Sequence, residues 1–325
     1  MNSNILNVLK LLLYISVFST FHSSCTKEIE IDIPPSKPKL VVYSTFVPFT
    51  IPYPKNFEVK VYATAHIFDT VKYPIRDAIV QLYKNNEFYD TINFYPECDC
   101  YTIPEMFFAE IGDEYSLIVE RGGFETVTAS SYIPSKVYIR DTIINPISYI
   151  NEFGSAVGEI QFSFTDPVNE NNYYELALSS GGINYDDYDS YFEIFTNATL
   201  ITSQSYYPDL IRFDVPYPKF LLFSDDNING QSVTLTIYYN PPQWFGEINY
   251  ISTHYRTLHL RNVTKEYFDF KTTSIQQDYA KREDFLYGMG EPINVISNIE
   301  NGFGVFAGFN NDYVTFKIDS VVVNK

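Results

Sequence analysis

The run Asp225-Asp226-Asn227-Ile228-Asn229-Gly230 sets oxygen-bearing side chains at alternate positions and closes them with a glycine. This imitates the first half of a calcium loop, with Asp225, Asn227 and Asn229 as ligands, because a hard cation takes carboxylate and amide oxygens presented from one tight turn. The twelfth position is Thr236 instead of a bidentate glutamate, and strand-forming residues follow where such a loop continues as helix. A polar turn entering a strand at Gln231 accounts for the same residues and is the stronger reading, since Asn, Asp and Gly are what tight turns need. Calcium is the one cofactor the chain suggests. Trp244 and Phe245 stand on the proline-bounded run 240–247. Exposed, such a pair can stack on a sugar or anchor a protein partner; buried, it fills the neighbouring sheet. Cys98 and Cys100 in "PECDCYT" can form a tight local disulfide or half of a metal site. Elsewhere neither a cysteine pair nor closely spaced histidines can complete a zinc site, so a bridge or free thiols is favoured. Asp186, Asp187 and Asp189 among tyrosines offer a cation or sugar site, or a solvated loop. His254 and His259 fall on opposite faces if 249–261 is a strand, and so cannot share a metal; His66 stands apart from both. No G-x-S-x-G elbow, P-loop, H-E-x-x-H or dinucleotide fingerprint occurs. The spaced glycines of "GFGVFAG" (302–308) suit a bent strand or close backbone packing better than a phosphate cradle. The chemistry therefore points to binding, not catalysis.

Residues 1–24 carry no acidic side chain, a single lysine (Lys10), a short apolar core over 11–18 and the small pair Ser23-Ser24. That is the layout of an export signal, and its core is far shorter than the roughly 20 apolar residues of a membrane-spanning helix. Cys25 follows directly, and the acidic run Thr26-Lys27-Glu28-Ile29-Glu30-Ile31-Asp32 comes after it. Cys25 resembles the modified cysteine of bacterial lipoproteins, although His22 stands where they prefer an apolar residue. Acylation there would anchor the chain in outer-membrane lipid, because each buried methylene contributes about 0.8 kcal/mol and two chains hold firmly. The lysine and acidic residues resemble the export tag of lipoproteins displayed on the outer face of the Bacteroidota outer membrane.

The formal charge of −18 repels a phosphate backbone and anionic head groups, so nucleic acid is not an expected partner. With 29 tyrosines and 27 phenylalanines, the composition favours pleated, half-buried strands. Strand patterns separated by Pro, Gly and Asn run over 39–47, 57–68, 77–85, 87–94, 114–121 and 124–133, with Asn85-Asn86 as a tight hairpin turn. They continue over 136–144, 158–167, 171–179, 231–240, 249–261 and 312–323, with 145–157 read as a loop. Only 264–280 breaks the pattern: it lacks Gly and Pro, gathers Tyr267, Phe268, Ile275 and Tyr279 on one helical face, and has Thr264 to cap it and Glu266 in its first turn. The expected fold is all-β. It comprises a signal peptide (1–24), an acidic linker (25–38), a β-sandwich (39–134) and a larger C-terminal β domain (135–325) carrying one helix, jointed at Pro134-Ser135.

The stretch "GDEYSLIVERGGFETVTAS" resembles the end of immunoglobulin-like or carboxypeptidase-regulatory-like sandwiches. More specifically, "PIRDAIVQLYKNNEFYDTI", "TDPVNENNYYELAL", "FSDDNINGQSVTLTIYY" and the closing "YGMGEPINVISNIENGFGVFAGF" resemble, in order and spacing, the Bacteroidota lipoprotein family catalogued as domain of unknown function 4249. That resemblance implies a non-enzymatic outer-membrane lipoprotein, often found beside TonB-dependent transporters. A role as accessory or ligand-capturing partner of such a transporter is thus expected, with a carbohydrate-binding or adhesion module as the alternative. Asp90-Thr91-Ile92, Asp141-Thr142-Ile143, Asp319-Ser320-Val321 and Asp69-Thr70-Val71 resemble O-glycosylation acceptors of exported proteins from the same group.

Overall fold

The computed structural model describes residues 37–48, 57–65, 73–103, 107–168, 170–180, 191–201, 218–245, 250–287 and 293–323. Cys25, the signal and linker before residue 37, His66, the triplet 69–71 and Asp186, Asp187 and Asp189 lie outside them. The strands in the first part are β1 (Leu40–Phe46), β2 (Glu58–Ala63), β3 (Tyr73–Pro74), β4 (Ile79–Lys84), β5 (Glu87–Tyr95), β6 (Cys100–Thr102), β7 (Glu114–Glu120) and β8 (Val127–Tyr132). Next come β9 (Arg140–Ile150), β10 (Ala156–Thr165), β11 (Tyr173–Ser179), β12 (Tyr191–Phe192), β13 (Ile194–Phe195), β14 (Phe220–Ser224) and β15 (Ser232–Tyr239). The last are β16 (Gln243–Trp244), β17 (Tyr250–Ile251), β18 (His254–Val263), the helix α1 (Lys265–Tyr287), β19 (Phe303–Ile318) and β20 (Val321–Val322). The fold is all-β and sandwich-type, as the composition requires.

Alternation builds the first core. In β1 and β7 every second side chain is buried, and Leu40, Val42, Phe46, Tyr115, Leu117 and Val119 meet inside. The β4–β5 hairpin turns at Asn85 and Asn86, with φ of 52° and 66°, the left-handed pair that matches the twist of the flanking strands. A second core lies between β11, β14 and β18 on one side and the four-stranded sheet β13-β15-β10-β9 on the other, filled by Phe162, Phe164, Leu176, Phe223, Leu258 and Leu260 among others.

Four expectations are corrected. The change of core does fall near Pro134, but the halves are not separately closed domains: Pro38–Lys325 form one compact unit. β19 returns from the C-terminal half to pair in parallel with β1, putting Phe306 into the first core, while its later residues pair with β18. Main-chain ladders thus run through one 13-stranded sheet, from β12 through β18, β19 and β1 to β8. Residues 145–157 are not a loop, because β9 runs to Ile150 and β10 starts at Ala156. The turn between them is tight, with Asn151 Oδ1 accepting the N–H groups of Phe153 and Ser155 at 3.1 and 2.9 Å. Pro146 is tolerated because β9 is an edge strand, where a missing N–H breaks no ladder. The helix extends beyond residue 280, to Tyr287. Thr264 caps it through its backbone alone: its carbonyl accepts the Phe268 N–H at 3.0 Å, while its buried hydroxyl has no partner among the described residues. Tyr267, Phe268 and Phe270 seat α1 against Val263, Val305 and Phe309 of the main sheet.

Candidate functional site

β16, β17 and β20 make a small separate sheet whose register is set by two antiparallel pairings. Trp244 stands opposite Tyr250, and Tyr250 opposite Val322, so the three share one face in a row across the strands. That face is open: Trp244 is 61% exposed, Tyr250 41% and Val322 54%, and Phe245 beside them 64%. The opposite face is anchored by Ile251, fully buried with Ala156 and Val323, and by Gln243, whose Oε1 accepts the Ala156 N–H at 2.6 Å. Period-two alternation therefore divides this sheet into a face that holds it to the body and a face of large apolar side chains given to solvent. Scattered exposed apolar residues are ordinary, but an aligned row with the chain's sole tryptophan at one end is a candidate binding surface.

The run Asp225–Gly230 folds as a hydrogen-bonded turn. Asp225 is buried, its Oδ2 accepts the Asn172 N–H at 2.9 Å, and its carbonyl accepts the Ile228 N–H at 2.8 Å. Asn229 Nδ2 donates to the Glu170 carbonyl at 3.3 Å, and the Asn227 carbonyl accepts from Gln231 Nε2. Gly230, at φ 70°, donates its N–H to Asp166 Oδ2 at 2.8 Å, and Tyr174 donates its hydroxyl to the same carboxylate. Burial pushes the Asp166 carboxyl above its ordinary range, against the pull of those two donors. Of the three side chains that suggested calcium, Asp225 spends an oxygen on the Asn172 N–H and Asn229 is engaged through its amide nitrogen, and among the described residues no group of three or more His, Cys, Asp or Glu side chains gathers to hold a metal. A disulfide joins Cys98, in the turn before β6, to Cys100, the first residue of β6, and between them Asp99 takes φ 49° and pairs with Arg76 at 2.8 Å.

The two described histidines occupy separate buried environments on β18. His254 donates or accepts nothing toward His259; its Nδ1 lies 2.7 Å from the Ser252 carbonyl, and burial lowers its pKa. His259 Nε2 is 2.9 Å from Ser179 Oγ, and burial, aided by the nearby Arg261 charge, pushes it down to about 3. Its imidazole is neutral at physiological pH.

Sequence reasoning missed the strongest electrostatic feature. Arg261 on β18 lies opposite Glu175 on β11, both buried, and their side chains form an ion pair. Arg261 also donates to the Tyr191 hydroxyl, and Tyr267 of α1 donates its own hydroxyl to Glu175 Oε2 at 2.9 Å. Burial works against the guanidinium charge, but the Glu175 carboxylate outweighs it and raises the Arg261 pKa further. The signal was there to be read: Thr257, His259 and Arg261 recur at period two in "THYRTLHLR", a polar stripe along one face of a strand otherwise built for a core.

No curated protein matches the chain. The family model described as Domain of unknown function (DUF4249) matches residues 26–313. That span takes in β1 through β18, α1 and most of β19, with the buried ion pair and Trp244 inside it, and the chain belongs to this family.

Proposed function

We propose that the protein is an outer-membrane lipoprotein, held through an acylated Cys25 on the cell surface, that acts by binding as an accessory or ligand-capturing partner of a TonB-dependent transporter. The observation that carries the binding role is the row Trp244, Tyr250 and Val322 with Phe245 at its edge, a solvent-facing apolar surface on a sheet anchored by its other face. The placement of Cys25 between an apolar leader and an acidic tail supports the anchor. Among the described residues no helix is long and apolar enough to cross a membrane, which is compatible with anchoring by acyl chains.

Co-purification from outer membranes solubilised in mild detergent tests the role. The wild-type chain should bring down a transporter. Trp244→Ala with Phe245→Ala should weaken capture at least about 30-fold, since truncating an aromatic anchor at the centre of an interface costs roughly 2 kcal/mol or more. Both positions are exposed, so the variant should keep its thermal midpoint. Recovery of no transporter, or equal recovery by the variant, would count against the proposal. The exposed indole also suits the face of a sugar ring; a glycan array bound by the wild type and lost in Trp244→Ala, with no transporter recovered, would favour the carbohydrate-binding alternative.

A further inference from the structure

Between α1 and the outward face of the main sheet lies a cleft of about 260 Å³. This is near the lower end of the range for small-molecule pockets, roughly 300–1,000 Å³. The strand pleat explains its lining. Tyr43 of β1 stands opposite Val305 of β19 and Lys60 of β2, and these side chains meet Phe270 and Lys271 of the helix across the gap. The rings of Tyr43 and Phe270 lie edge to face, with centroids 5.9 Å apart, and form an apolar wall.

Lys271 is the feature that packing does not explain. Its ammonium sits 4.3 Å from the centroid of the Phe220 ring and 5.9 Å from that of Tyr267. It makes neither a hydrogen bond nor an ion pair with any described residue. The Glu175 carboxylate attracts it, but both Glu175 oxygens are already engaged, one by Arg261 and the other by Tyr267. Aromatic faces replace only part of the hydration a cation gives up on burial. Burial accordingly lowers the Lys271 pKa; the attraction of Glu175 opposes this and the repulsion of Arg261 adds to it. Half-buried by accessible surface, the ammonium lines the cleft, where an acceptor on a guest can reach it. Glu58 and Lys60, of opposite charge, also line the cleft.

We propose that this cleft binds a small organic carboxylate, its acidic group paired with the Lys271 ammonium and its flat apolar portion against Tyr43 and Phe270. The site is independent of the Trp244 row, and neither reading needs the other. The test is calorimetric titration of the full chain with benzoate and with its neutral counterpart benzamide. Benzoate should bind saturably and at least about tenfold more tightly than benzamide, and Lys271→Met should abolish that preference. Trp244→Ala should leave it intact. Equal affinity for the two probes, no saturable binding of benzoate, or a preference that survives Lys271→Met would overturn the proposal. A second measurement needs no variant. Acetylation of wild-type lysines, followed by mass spectrometry, should slow at Lys271 when benzoate is saturating and stay unchanged at the exposed Lys317; equal rates at Lys271 with and without benzoate would overturn it as well.

Discussion

Gly304→Ala should prevent the chain from reaching a stable native state. A methyl group at this position would come within 2.0 Å of the Val42 carbonyl oxygen and 2.8 Å of its carbon, both main-chain atoms held by the parallel β1–β19 ladder. The backbone φ there is +112°, a region that side-chain-bearing residues rarely enter. Neither strand can yield without breaking the pairing that joins the two cores. The loss should therefore exceed about 4 kcal/mol, the exceptional end of the range for point substitutions. Gly308→Ala should act in the same way, because its Cβ would lie 2.1 Å from the Tyr132 carbonyl oxygen. Gly122→Ala is the control: no atom lies within 4 Å of its Cβ, and the unfolding midpoint should move by no more than about 0.5 kcal/mol equivalent. Urea unfolding followed by circular dichroism measures all three. A Gly304→Ala protein with the wild-type midpoint would show that the β1–β19 junction is misplaced.

Glu175→Gln should destabilise by about 3–5 kcal/mol, although it changes a single atom type. The cost comes from the partner left behind. Arg261 is buried, and the substitution takes away the Glu175 carboxylate that pairs with its guanidinium. Arg261→Met removes the guanidinium charge, so the double variant should be far less unstable than the two single losses summed. A coupling energy above about 2 kcal/mol in the double-mutant cycle is expected for two side chains in direct buried contact. Simple additivity would mean that the ion pair does not form as described. The pair also ties α1 to the sheet through Tyr267, so Glu175→Gln should open the helix to hydrogen exchange sooner than the β4–β5 hairpin.

What could be read in the chain follows the range of the forces involved. The β4–β5 hairpin was legible because Asn85-Asn86 sets its turn locally, and α1 because a long stretch without Gly or Pro carries a helical apolar face. The glycines of 302–308 were correctly associated with close backbone approach, but which backbone they approach depends on Val42, far away in the chain. Nothing local announces that the last long strand will lie in parallel against the first, and the expected division at Pro134 failed for that reason. The second half of β9, past residue 144, was hidden by Pro146, a residue that argues against a strand until its edge position is known. In the candidate site, Trp244 and Phe245 could be named but not assigned to solvent or core, since exposure depends on which face of β16 meets Ile251 and Ala156. The Asp225 turn showed the converse limit: the ligand pattern of a cation loop and the hydrogen-bonding pattern of a tight turn call for the same residue types, and only Asn172 and Glu170, distant in sequence, distinguish them.

The central claim is that fatty acids on Cys25 hold this strand-built body at a membrane so that its aromatic row can meet a partner there. Intact-mass and N-terminal peptide mass spectrometry of protein extracted from its native membranes tests it most directly. The account predicts a mature chain that begins at Cys25, lacks residues 1–24 and carries a diacylglycerol thioether on the cysteine sulfur. An unmodified Cys25 thiol on protein recovered from the culture medium would contradict it.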